Sequence, residues 1–296
     1  RVSSIPTIYG ENMVMRLLDM SGRDYTLDML GMQPDDHVTI EGAIHKPYGM
    51  ILSTGPTGSG KSTSLYAILK SINRPDINII TLEDPVEYRI RGIRQVQLNR
   101  KAGMTFASGL RSILRQDPDV VMVGEIRDAE TAAIAVQAAL TGHLVLSTLH
   151  TNDAAGAVTR LIDMGIEPFL VSSVLLVSFA QRLVRRVCTN CAEPYDPLPA
   201  ALAAFGLALD TPGATYLRGR GCHHCAHTGY RGRTGVFEIL PMTQMIQDLV
   251  IKRSSTQAIA DAAINTGLMR TLKQDAALKI LRGTTTVEEA ATSVML

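Results

Sequence analysis

Tryptophan is absent from this 296-residue chain, all aromatics together make up only 4% of it, and there are just four cysteines. So few aromatic faces leave little for the bases of single-stranded nucleic acid to stack on. Four cysteines in a chain this long do not describe a secreted disulfide scaffold. An excess of charge of one sign is also lacking: 29 Lys and Arg against 28 Asp and Glu leave a net +1. No global field draws such a chain to nucleic acid or an anionic membrane, so any such partner must be met at a local site. Nor is there a long hydrophobic run. The longest, Phe169 to Ala180, has 12 residues, where a membrane-spanning helix needs about 20. The chain starts at Arg1 with no leader-like segment and reads as a fragment whose upstream part is missing. What it does have is 46% hydrophobic residues, enough at this length to bury roughly three quarters of the unfolded surface without disulfide staples.

Composition divides the chain into four zones. Residues 1–45 mix a β-like start with a patch around Val14 to Leu18. Residues 46–185 alternate short apolar runs with helical patterns, the signature of βαβ units and of an α/β domain with a mainly parallel sheet. Strands are predicted at Met50–Thr54, Ile77–Leu82, Val120–Val123 and Leu144–Thr148. A helix from Lys61 carries Leu65, Ile68, Leu69 and Ile72 on one face. A second helix, following Asp128, is rich in alanine. Residues 186–235 hold every cysteine with much Gly and Pro, and read as an irregular inserted subdomain. Residues 236–296 read as a helical tail, its last helix opening with the capping-box spacing of Thr286 and Glu289.

Gly55, Pro56, Thr57, Gly58, Ser59, Gly60, Lys61, Ser62 and Thr63 form a G-x-x-x-x-G-K-S loop between a predicted strand and a predicted helix. Glycines let such a loop curl until its N–H groups face phosphate oxygens, and the helix N-terminus adds partial positive charge. Lys61 is expected to reach the β- and γ-phosphates of ATP, and Ser62 to ligate Mg²⁺. The bland alternative is a Gly/Ser-rich turn that happens to hold a lysine. Two predicted strands end in acids, Glu83 and Glu125, and ligands of open α/β sheets lie at the carboxyl ends of the strands. We assign Glu83 to the attacking water and Glu125 to Mg²⁺, roles the sequence alone leaves exchangeable. Arg111 and Arg115, four apart on one helical face, and Arg127 are read as charge for the γ-phosphate, in cis or from a neighbouring subunit, or as ordinary salt-bridging residues. His143 and His150 bracket a buried strand. Their odd separation argues against a shared job.

Cys188-x-x-Cys191 and Cys222-x-x-Cys225 use every cysteine, and a structural Zn²⁺ in a cage of four thiolates is the leading reading. Two disulfides or a redox pair remain alternatives, and His223, His224 and His227 are substitute ligands.

Taken together these motifs resemble the secretion ATPases of the GspE/PilB type. GPTGSGKST looks like that family's Walker A, ITLEDPVEY its Asp box, RQDPDVVMVGEIRDAET its atypical Walker B, ALTGHLVLSTLHTNDA its His box, and CTNC with CHHCAHTGYRGRTGVFE its zinc subdomain. The resemblance implies a RecA-like P-loop core, preceded by part of a PAS-like domain within residues 1–45. It implies Arg1 and Arg16 as arginines supplied to nucleotide across an interface, Arg111, Arg115 and Arg127 as further phosphate contacts, and His143 and His150 as parts of a phosphate-sensing box. A homohexamer at the cytoplasmic face of the inner membrane is expected, docking on platform proteins through the missing upstream region. ATP hydrolysis would then drive pseudopilus assembly in type II secretion, or, as the runner-up, type IV pilus assembly. A RecA-like nucleic-acid motor with a zinc ribbon is the alternative from another class, disfavoured by the near-neutral charge.

Overall fold

The computed structural model describes residues 2–15 and 25–295. Arg1 and Arg16 lie outside them. An antiparallel hairpin opens the chain, β1 (Val2–Thr7) and β2 (Gly10–Met15), with every residue exposed. Then come α1 (Pro34–Ile44), β3 (Gly49–Thr54), α2 (Lys61–Ile72), β4 (Ile79–Glu83), β5 (Arg94–Gln97), α3 (Phe106–Ile113), β6 (Val120–Val123), α4 (Ala129–Leu140), β7 (Leu144–Leu149) and α5 (Ala154–Asp163). They are followed by α6 (Pro168–Val174), β8 (Leu175–Val187), β9 (Ala192–Pro194), α7 (Pro199–Ala203), β10 (Leu217–Gly219) and β11 (Tyr230–Pro241). Four helices close the chain: α8 (Gln244–Ile251), α9 (Thr256–Asn265), α10 (Leu272–Leu281) and α11 (Val287–Val294).

Seven strands form the main sheet in the order β11-β8-β3-β7-β6-β4-β5. All neighbours are parallel except β11 and β8. Side chains alternate between its faces with the strand period of two. Met50, Leu52, Ile80, Leu82, Val121 and Val123 join one core with α3 to α6 and the tail helices. Ile51, Ile79, Met122, Leu144 and Leu146 join the other, under α1 and α2. Because both faces are covered, these strands read as continuous apolar runs, which is why the sequence exposes them clearly.

Three features add to the sequence reading. The longest apolar run is divided between α6 and the start of β8, with Pro168 opening the helix where its missing N–H costs nothing. Residue 236 falls inside β11, which completes the main sheet, so residues 188–229 form an insert between β8 and β11. Within the first zone, Leu27, Leu30, Ile40, Ala43 and Ile44 are buried in the second core rather than in a unit of their own.

Candidate nucleotide site and tetracysteine cluster

A parallel sheet sends all its strand ends of one polarity to one edge. At that edge the Gly55–Gly60 loop leaves β3, Glu83 ends β4, Glu125 follows β6 by two residues, and His150 follows β7 directly. They meet around a cleft of about 760 Å³ lined by Thr57, Gly58, Gly60, Lys61, Ser62, Thr63, Glu83, Glu125, Arg127 and His150, among others.

The Lys61 ammonium, at the head of α2, donates to the carbonyls of Gly55 (2.7 Å) and Pro56 (2.9 Å). Burial, and then the Arg182 cation on β8, push its pKa below the ordinary lysine value. One turn along α2, the Ser64 hydroxyl donates to Gln181 Oε1 at 2.8 Å, fastening the helix to β8. The Ser59 hydroxyl is buried inside the loop without a hydrogen-bond partner, and an anion held in the loop would offer it an acceptor.

The two acids differ sharply. Glu83 is only 4% exposed and no cation pairs with it among the described residues. Its Oε1 accepts from the Thr81 hydroxyl (2.5 Å) and the Gln95 amide (3.3 Å), and its Oε2 accepts from the Tyr66 hydroxyl. Burial pushes its pKa above the usual glutamate value, and the three donors oppose that rise. Glu125 instead meets two cationic groups, Arg127 Nε at 2.6 Å and His150 Nε2 at 3.4 Å, the latter a full ion pair only when protonated. Asp84 is gripped by Arg100 through Nε (2.9 Å) and Nη2 (2.6 Å).

Not every candidate lies here. Arg111 donates to Glu130 at 2.8 Å, Arg115 to the Ser112 hydroxyl at 3.3 Å, and neither lines the cleft. His143 sits at the other end of β7, its Nδ1 2.9 Å from the Ala138 carbonyl. Seven residue steps at about 3.3 Å each put its Cα about 23 Å from that of His150. It cannot touch the same phosphate, and the shared sensing role drawn from the resemblance does not fit one subunit. Tyr66, Thr81, Gln95 and Gln181 were not foreseen. Tyr66 lies about 100° round α2 from Leu65, off the apolar face that the spacing marks, and none of the four sits in a local pattern that announces it.

In the insert, the sulfurs of Cys188, Cys191, Cys222 and Cys225 all lie within 4.8 Å of one another. Cys188 to Cys222 and Cys191 to Cys225 are each 3.9 Å, and Cys222 to Cys225 is 3.7 Å. Four sulfurs about 2.3 Å from a tetrahedral zinc would be about 3.8 Å apart. All four are free thiols, far beyond the bonding distance of about 2.05 Å, so the two-disulfide alternative is not what this structure holds. The Asn190 amide, 3.4 Å from Cys222 Sγ, pushes that thiol down to about 6, whereas burial pushes Cys191 up to about 12. His223 and His227 pack against each other at 4.9 Å, outside the cluster. No helix among the described residues is long and apolar enough to cross a membrane.

Residues 1–292 match the family model described as "Type II/IV secretion system protein". The Type II secretion system protein E of Pseudomonas aeruginosa is 53% identical over 289 residues, covering 98% of this chain and 57% of that protein. The Type II secretion system ATPase E of Vibrio cholerae is 52% identical over 289 residues, with the same coverage of 98% and 57%. The type IV pilus assembly ATPase PilB of Thermus thermophilus is 50% identical over 290 residues, covering 98% and 32%. This chain thus spans little more than half the length of the first two relatives. Among solved structures, the pilus retraction motor PilT with bound ADP superposes with a TM-score of 0.67 at 26% identity, over 99% of this chain and 76% of that one. The Legionella pneumophila ATPase DotB gives 0.69 at 22% identity, over 98% and 71%, a likeness of fold alone.

Proposed function

Because this chain belongs to the Type II/IV secretion system protein family, we propose that it is the ATP-hydrolysing part of a motor for type II secretion. The observation that carries this reading is the convergence of a phosphate loop and two unlike carboxylates on one cleft at the carboxyl edge of a parallel sheet. Loop N–H groups and Lys61 would hold the β- and γ-phosphates. Ser62 and Glu125 would hold Mg²⁺, which would supply positive charge to offset that of the phosphates. Glu125 already sits beside the Arg127 guanidinium and the His150 ring. Glu83, buried and without a cationic partner, is the better proton acceptor for the attacking water.

The finer picture is proposed on the resemblance and on the relatives' names. Arg127 lines the cleft from within, while Arg111, exposed on α3, and Arg115, exposed in the turn after α3 ends at Ile113 and so not on its helical face, would serve a neighbouring subunit, together with Arg1 and Arg16. A homohexamer at the cytoplasmic face of the inner membrane accommodates such sharing. In that arrangement a PAS-like lead-in, a RecA-like core, a zinc insert and a helical tail would be the working parts, with platform proteins as partners. The four-cysteine cage fits Zn²⁺ in a structural role, since four thiolates leave no open position for chemistry. Pilus assembly stays the second reading because PilB is 50% identical over nearly the whole chain.

Replacing Lys61 by Ala tests the enzyme assignment. The loop backbone is set by its glycines rather than by the amine, so the variant should fold and lose at least about 100-fold in Mg-ATP turnover. Unchanged phosphate release from the folded variant would refute an ATPase.

A further inference from the structure

We propose that Tyr66 is a positioning residue for hydrolysis: its hydroxyl, carried by the helix that begins at Lys61, aims Oε2 of Glu83 at the attacking water. This rests on the reading of Glu83 as the base. An ionised carboxylate offers about four lone-pair sites. Two on Oε1 are taken by Thr81 and Gln95, and one on Oε2 by Tyr66, leaving a single site, on Oε2, for a proton from water.

The direction of the Tyr66 bond follows from its other contacts. The phenol has one proton to give. Its oxygen already accepts from the Glu87 backbone N–H at 3.3 Å and lies 3.4 Å from the Gln95 amide nitrogen, so the proton is committed to Glu83. The ring cannot swing away: Tyr66 is fully buried and packs edge-on against Tyr88, with centroids 4.6 Å apart. Five residues of helix separate Tyr66 from Lys61, an axial rise of about 7.5 Å. One rigid helix therefore carries both the phosphate-binding amine and the group that orients the base. In the step itself, water oxygen bonds to the γ-phosphorus while the bond to the β–γ bridging oxygen breaks. The electron pair leaves with ADP, and the water proton passes to Glu83 Oε2.

The test is Tyr66→Phe in the full-length protein, which keeps the ring and removes only the donor. We expect kcat to fall about tenfold or more, with KM for Mg-ATP unchanged. The acid limb of the kcat–pH profile should also move to higher pH, because a carboxylate that loses a donor holds its proton more tightly. A purely structural tyrosine would lower the melting temperature and leave that limb in place. Should Tyr66→Phe fold poorly, 3,5-difluorotyrosine at position 66 strengthens the donor at nearly constant size, and the limb should then move to lower pH. A limb unmoved by either change overturns the proposal. Glu83→Gln separates the two readings. If it retains hydrolysis, Glu83 is not the base and both readings fall. If it is inactive while the Tyr66 variants behave as wild type, only the role of Tyr66 is lost.

Discussion

A Cβ built on Gly60 would lie 2.7 Å from the Gln181 amide nitrogen and 3.3 Å from the Leu183 methyl carbons, at a backbone φ of +95°. A free glutamine end could move aside, but this one is 2% exposed and bound to the Ser64 hydroxyl. Side chain and backbone thus both require glycine there, for separate reasons. Gly60→Ala should destabilise the fold by about 1–3 kcal/mol, read from the denaturant midpoint. It should also weaken nucleotide binding more than Lys61→Ala does, because the loop's N–H groups would no longer converge. Wild-type nucleotide affinity in Gly60→Ala would mean that the loop tolerates a second shape. The same residues show how far the sequence could be read. Lys61 and Ser62 announce themselves by spacing, whereas Gln181 arrives from β8, more than a hundred residues on, and no local pattern ties it to the loop.

At the level of elements, β3, β4, β6 and β7 were legible because parallel strands covered on both faces are short, apolar and bounded by turns. β8 and β11 were not. Each breaks the apolar pattern with buried polar residues whose partners are remote: Gln181 on β8 accepts from Ser64 on α2, and Glu238 on β11 serves two helices. The Glu238 carboxylate accepts from the backbone N–H of Ala154 at 2.8 Å and of Leu272 at 3.4 Å, the first residues of α5 and α10. Those N–H groups have no partner within their own helices. Burial raises the pKa of Glu238, a cost that the two helix ends partly offset. Glu238→Ala leaves both groups buried and unpaired and should cost about 2–4 kcal/mol in unfolding free energy. Glu238→Gln keeps one accepting oxygen and should cost less. Equal denaturation midpoints for the two variants would show that capping is not what holds β11 to these helices.

Across the whole molecule, segments far apart in sequence share a core and are tied further through hydrogen bonds. Gln33, in the lead-in, donates to Asp275 of α10 at 2.6 Å, and Asp275 also accepts from the Phe237 backbone N–H at 2.8 Å and from Lys279 at 2.5 Å. The cysteine insert is tied to the tail in the same manner. Thr215 N–H donates to the Leu281 carbonyl at 2.7 Å and the Tyr195 hydroxyl to Glu288 at 3.1 Å, while beside the insert, at the end of β8, Arg185 donates to Glu289 through Nε at 2.8 Å. Thr286 caps α11 as its spacing promised, but the Glu289 side chain turns to Arg185 instead of back to the cap. Little regular structure supports the insert itself: β9 and β10 have three residues each and α7 has five. Leu202, Phe205 and Tyr216 anchor the insert in the main core, and a metal in the thiolate cage would supply folding free energy to the cysteine end, where only the four cysteines cluster. Stripping zinc with a strong chelator, or replacing Cys222 by Ser, should therefore raise amide hydrogen exchange across residues 188–229 and in α11, which the insert braces. Strands β3, β4, β6 and β7 should stay protected, since their core is built independently of the cage. Zinc near one equivalent in the reduced protein, lost in the Cys222 variant, belongs to the same expectation. Exchange in the insert that does not respond to chelation would mean that the four thiols hold no structural metal and that the tail contacts alone order the insert.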